Sequence, residues 1–146
     1  MDPHDPQVLF AAIAPDWNAS TELVAAANGV LAGLASIAGC MAGGRISDAM
    51  DRRHAYVVAG AALAAAALGM AVLPRAPVAY AATVLAYSFA LGLSYAAFTG
   101  FALEVIGKGA AATKYNVLAS VSNFPIYGMM RVDGWVADVH GRTAML

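Results

Sequence analysis

Residues 78–103 read VAYAATVLAYSFALGLSYAAFTGFAL. No side chain in the run is charged, and apolar residues do not alternate with polar ones. A helix rises about 1.5 Å per residue, so the run outlasts the roughly 30 Å hydrocarbon core of a bilayer. In lipid a backbone must satisfy its own hydrogen bonds, which leaves helices and closed barrels. Barrel strands alternate every second residue over about ten residues, and this run does not. A membrane-spanning helix is therefore expected here.

Three further runs share that character, at residues 23–43, 55–73 and 110–130. Asn28 is the most polar member of the first, the second is uncharged, and Lys114 stands near the start of the fourth. The expected fold is an all-α integral membrane protein with four transmembrane helices within residues 21–131. Residues 1–20 and 132–146 read as extracytoplasmic tails, the second leading towards a further helix.

Composition supports a bilayer as the solvent. The chain of 146 residues is 61% hydrophobic and 12% charged. Soluble domains carry about 25% charged residues. So few charges cannot cover the outer faces of a soluble bundle. A formal net charge of −1 excludes the clustered Lys and Arg of a nucleic-acid surface. Cys40 is the single cysteine and sits in an apolar run, so no internal disulfide is possible. His4, His54 and His140 stand apart, and no Ser-His-Asp spacing occurs. Neither an enzyme nor a metal or cofactor site is expected.

Lys and Arg set orientation through the excess of positive charge on the cytoplasmic side. Arg45, Arg52, Arg53, Lys108 and Lys114 fall on one side, against Arg75, Arg131 and Arg142 on the other. This places the Arg-rich connection in the cytoplasm and both termini outside, in a multi-pass protein of the inner (plasma) membrane.

Two kinds of stripe mark the spans. Gly29, Gly33, Ser36, Cys40 and Gly43 fall on one side of the first, where small residues let another helix approach closely. In the fourth, Asn116, Ser120, Asn123 and Tyr127 are spaced 4, 3 and 4 and share one face. Pro125 lies among them and removes a backbone donor. In the third span Tyr87, Ser94 and Tyr95 are deep polar residues, while Tyr80 reads as an interfacial anchor. Polar stripes of this kind line a wet path or hydrogen-bond helices together, and both readings stand. No Asp or Glu falls mid-span, so a proton-coupling carboxylate is not expected in these helices.

The connection between the first two spans reads GRISDAMDRR at residues 44–53. It resembles the signature cytoplasmic loop of the major facilitator superfamily, with Gly44, Asp48, Arg52 and Arg53 at matching places. Ala49 and Asp51 depart from that pattern, as in the weaker copy in the second half of such transporters. The stretches LEVIGKGAAATKYN at 103–116, LASVSNFP at 118–125 and VDGW at 132–135 look like the branch containing muropeptide permeases and acetyl-coenzyme A transporters. The resemblance spans roughly residue 21 to the end. It implies helices eight to eleven of a twelve-helix fold, hence a fragment of a secondary active transporter whose remaining helices lie outside this sequence. It further implies a polar or amphipathic solute, such as a muropeptide-like sugar-peptide, moved by alternating access. Asn116, Ser120, Asn123, Tyr127, Tyr87, Ser94 and Tyr95 would line its path, with Gly44, Asp48, Arg52 and Arg53 as a cytoplasmic gate. The alternative is a small accessory or scaffold protein acting by helix–helix assembly, with Gly29, Gly33, Ser36 and Gly43 as its packing face.

Overall fold

A computed structural model of the chain describes residues 10–11, 13–107 and 109–140. Expectations placed on residues 1–9, Lys108 and Arg142 lie outside them. The described residues are overwhelmingly helical, and no strand occurs among them. A short 3-10 turn, Ala14–Trp17, ends at Asn18, whose left-handed backbone (φ 52°, ψ 30°) turns its N–H back to the Ala14 and Pro15 carbonyls. Asparagine tolerates that conformation better than most residues. Four long helices follow, named here α1 (Thr21–Ala49), α2 (Arg52–Val72), α3 (Pro77–Ile106) and α4 (Ala111–His140).

Helices α1, α2 and α3 are each long and apolar enough to cross a membrane. Four such spans were expected. The fourth forms its helix but does not join the other three on composition, because Asn116, Asn123, Arg131 and Asp133 interrupt its apolar residues.

Each helix begins and ends where local chemistry allows. Ser20 caps α1, its hydroxyl accepting from the Leu23 N–H at 3.2 Å. Asp51 caps α2 by accepting from the Arg53 N–H at 2.9 Å. Pro77 opens α3, where its missing N–H costs nothing. Gly107 (φ 62°) closes α3 in a conformation a side chain would strain.

Hydropathy marks only the apolar part of each helix. The stretch 44–53, read as a loop, is almost wholly helical: α1 runs to Ala49, α2 starts at Arg52, and only Met50 and Asp51 join them. Similarly, α4 continues ten residues beyond 130, through the start of the expected C-terminal tail, and Pro125 lies within it. At the other end, part of the expected N-terminal tail is folded, with Phe10, Ile13, Ala14 and Trp17 all buried.

Helix α3 is the hub. It packs extensively on α1 and on α2, whereas α1 and α2 touch each other far less. The α1–α3 crossing is backbone on backbone. A methyl group added at Gly39 would fall inside contact with the Phe89 carbonyl, and one at Gly92 inside contact with the Ser36 carbonyl. At Gly43 it would lie 2.7 Å from the Leu93 oxygen. Such proximity maximises dispersion where lipid removes any hydrophobic drive between helices. Cys40 adds a thiol hydrogen bond to the Gly92 carbonyl at 3.3 Å. Helix α4 touches α3 only sparingly and stands largely apart from the other three.

Candidate functional site

The polar stripe of α4 faces away from the other described helices. Asn116, Ser120, Asn123 and Tyr127 are all exposed, Tyr127 by 68%. The Ser120 hydroxyl donates back to the Asn116 carbonyl at 2.8 Å, a bond internal to the helix. Neither asparagine amide meets a partner on another helix among the described residues. The groove between α3 and α4 is apolar instead, lined by Val105, Ile106, Val117, Leu118 and Val121. Lys114 closes its end by donating to the Ile106 carbonyl at 3.3 Å, which suits a cation at a helix C-terminus.

The three α3 residues assigned to the same path are dispersed. Tyr87 is half-buried, with the Phe10 ring edge-on at 5.2 Å. Ser94 donates to the Ala59 carbonyl at 3.3 Å and so ties α3 to α2. Tyr95 is 63% exposed. Within the described residues these side chains do not converge with the α4 stripe on one cavity.

At the Arg-rich end the four gate residues separate. Arg52 reaches across to α3, donating to the Gly100 carbonyl at 2.8 Å and pairing with Glu104 at 3.5 Å. Ser47 of α1 packs on Gly100 as well, its buried hydroxyl without a hydrogen bond among the described residues. Three helices are thus pinned around one glycine. Arg53 contributes through its backbone N–H to Asp51. Asp48 is exposed and has no ion pair or side-chain hydrogen bond among the described residues. The α2 N-terminus, which Asp48 would suit, is already capped by Asp51. Gly44 has open space around its missing side chain.

The Asp51 carboxyl is held below the ordinary carboxylate range, chiefly by the Arg53 N–H, with smaller help from the His54 N–H and the His54 and Arg53 charges. A depressed folded value means the ionised cap stabilises the fold above the unfolded value and stops doing so as pH falls through the folded one. The wild-type advantage over Asp51→Ala in thermal unfolding is therefore expected to be full near neutrality and to vanish in strong acid. An advantage that persists unchanged in acid would contradict the cap.

The packing residues also divide. Ser36 and Gly43 lie in the α1–α3 crossing, whereas Gly29 and Gly33 face open space. Sequence reasoning paired Gly39 with Gly43 as small residues four apart but left it off the packing stripe, and passed over Gly92, its partner in the closest approach, and Gly100 and Glu104, which receive Arg52. Only the four-residue spacing of Gly100 and Glu104 hinted at a shared face.

A second polar cluster lies at the opposite end. Residues 27–31 of α1 form a π-helical turn, with Gly29 out of helical conformation (φ −94°, ψ −112°). Beside it Asn28 donates through Nδ2 to the Tyr80 hydroxyl at 2.9 Å, and Tyr80 donates to the Phe10 carbonyl at 3.0 Å. Tyr80, expected at the membrane interface, is fully buried because Phe10, Ile13, Ala14 and Trp17 pack in the same cluster. A π-turn in a helix often accompanies function.

Comparison of the chain with protein-family models, with curated proteins and with solved structures finds no match.

Proposed function

We propose that this chain is part of a secondary active transporter of the major facilitator type, moving a polar or amphipathic solute across the inner membrane by alternating access. The observation that carries this reading is the α4 stripe. Asn116, Ser120, Asn123 and Tyr127 share one exposed face of a helix that barely joins the other three. Among the described residues the stripe hydrogen-bonds to no other helix. Polar side chains at membrane depth face a bundle interior or a water-filled cavity, and further helices would enclose such a cavity here. The pinned end at Arg52, Gly100 and Glu104 fits the cytoplasmic side of a rigid half that rocks as a unit.

Single cysteines at positions 116, 120, 123 and 127 test the reading, in a Cys40→Ala chain within the complete transporter. A membrane-impermeant thiol reagent should reach all four while Val117 and Val121 stay protected. Solute uptake into vesicles should fall on the order of tenfold for Asn123→Ala or Tyr127→Phe, the worth of one solute hydrogen bond. Ser36→Ala should leave uptake near the parent level. Uniform protection of α4 together with unchanged uptake would favour the assembly protein instead.

A further inference from the structure

The groove between α3 and α4 holds about 510 Å³ and lies apart from the polar stripe. One wall is the last turn of α3, a helix apolar enough to cross a membrane, through Val105 and Ile106. The other is the start of α4, through Val117, Leu118 and Val121. Lys114 precedes these by three, four and seven residues, so all four share one face of the helix. Asn116, Ser120, Asn123 and Tyr127 fall on the far side of it. An apolar space at the end of a membrane helix fills with hydrocarbon, because water finds no partners there.

The charged end selects the occupant. Lys114 gives one of its three N–H donors to the Ile106 carbonyl at 3.3 Å, which leaves two for another acceptor. Thr113 lines the same end with its hydroxyl. No acidic side chain lines the groove among the described residues, and Glu104 of α3 is turned to Arg52 of α2 instead. Helix α3 has 30 residues, or about 45 Å, against about 30 Å of hydrocarbon core. Its last turn, and Lys114 bonded to it, therefore reach the headgroup layer. A further transmembrane helix seated in the groove would bury the ammonium unanswered. A second copy related by a two-fold axis would set its own Lys114 against the first. An anionic amphiphile satisfies the cation and the apolar walls together.

We propose that this groove binds one anionic phospholipid, with its phosphate on Lys114 and Thr113 and an acyl chain laid along Val117, Leu118 and Val121. From Lys114 to Val121 the chain has about 10 Å of apolar wall to lie on. The bound lipid fills the space that keeps α4 from close contact with α3, and so braces the one long helix that packs sparingly. It leaves the polar stripe free on the other side of α4. The proposal does not require that the chain transport anything.

Native mass spectrometry of the purified chain supplies the test. Phosphatidylglycerol and phosphatidylcholine with identical acyl chains are offered in equal amounts in mixed micelles, and the lipid retained on the chain is counted. The parent should favour phosphatidylglycerol by about fivefold, the worth of one cation near an anionic headgroup. Lys114→Gln keeps a donor for the Ile106 carbonyl but loses the charge, and should bring the ratio close to one. Lys114→Arg should keep the preference. Arg45→Gln removes an exposed cation from the same end of the bundle and should leave the ratio at the parent value. Leu118→Trp fills the groove and should cut retention of both lipids several-fold with helix content unchanged. Val121→Phe adds less bulk and decides the matter should Leu118→Trp fail to fold. Soluble glycerol phosphate in excess should displace nothing, because it has no tail. Equal retention of the two lipids by the parent, or equal losses in Arg45→Gln and Lys114→Gln, would overturn the headgroup site. Parent-level retention in the groove-filling variants would remove the tail from the groove. Displacement by glycerol phosphate would replace the lipid with a free phosphate, and a dimer carrying no lipid would give the groove to a second copy.

Discussion

Gly92→Ala is expected to destabilise the α1–α3 pair strongly, by about 1–3 kcal/mol or beyond. The new methyl would meet the Ser36 carbonyl, carbon and Cα, all backbone atoms that cannot swing aside. The helices must separate, and the contacts around Gly39, Gly43 and Cys40 loosen together. Helix propensity acts the other way, since alanine is preferred to glycine by up to about 1 kcal/mol. The clash wins because it falls on a close-packed backbone crossing. Gly33→Ala isolates the propensity term, because Gly33 has nothing within 4 Å of the added position. Unfolding in mixed micelles against increasing SDS should show Gly92→Ala melting early and Gly33→Ala at or above the parent. Indistinguishable curves for the two would remove the crossing as the main contact of the fold. Gly39→Ala should behave like Gly92→Ala, since its methyl would meet the Phe89 carbonyl.

Arg52→Ala comes second. The guanidinium donates to the Gly100 carbonyl at 2.8 Å and is paired with Glu104 at 3.5 Å. A hydrogen bond from a charged group contributes about 1.5–3 kcal/mol. The ion pair contributes less, because the Arg52 and Glu104 side chains are 40% and 61% exposed, and exposed pairs give about 0–1 kcal/mol. Glu104→Gln should therefore cost little and Arg52→Ala clearly more. Arg52→Lys separates charge from geometry. An ammonium keeps the charge but loses the fork that serves the carbonyl and the carboxylate together, so it should recover only part of the loss. Raised salt should narrow the Glu104→Gln difference and barely affect the Arg52→Ala one. Equal losses for Arg52→Ala and Glu104→Gln would mean that the ion pair, and not the carbonyl bond, fastens α2 to α3. Within the proposed transporter the same variant tests the latch, because a loosened pinned end would alter the balance of access states as well as stability.

The gate residues show how a contact of the right kind can have a different partner. The resemblance implies a cytoplasmic gate role for Arg52. In this chain it meets Glu104, at the far end of the next helix and adjacent in space. Asp48, placed by the same motif, makes no such contact among the described residues. The capping role that its charge suits belongs to Asp51, the residue that departs from the family pattern.

Much of the architecture was legible without coordinates. Long uncharged runs dictate helices, because lipid offers a backbone no other partner. Three of them, α1, α2 and α3, stand where hydropathy places them. The α4 stripe follows from spacing alone, since a helix turns about 100° per residue whatever surrounds it. Helix ends were less legible. Polar residues such as Arg45 and Asp48 end a hydropathy signal without ending a helix, and the caps at Ser20 and Asp51 mark the true starts.

Which face packs was decided only in three dimensions. The first helix is rich in Gly, Ala and Ser all around, so several small-residue stripes compete on equal terms. The π-turn at Ala27–Leu31 inserts an extra residue and rotates Gly29 about 100° from the face that an unbroken helix would give it. Gly33 then falls at the edge of the face that Ala32, Ser36, Gly39 and Gly43 present to α3. The burial of Tyr80 is likewise tertiary, because Phe10, Ile13, Ala14 and Trp17 join its cluster from far away in sequence. Periodicity along the chain determines that a residue lies on a helix and on which stripe. Only the neighbour that reaches that stripe determines whether it meets lipid, water or another backbone.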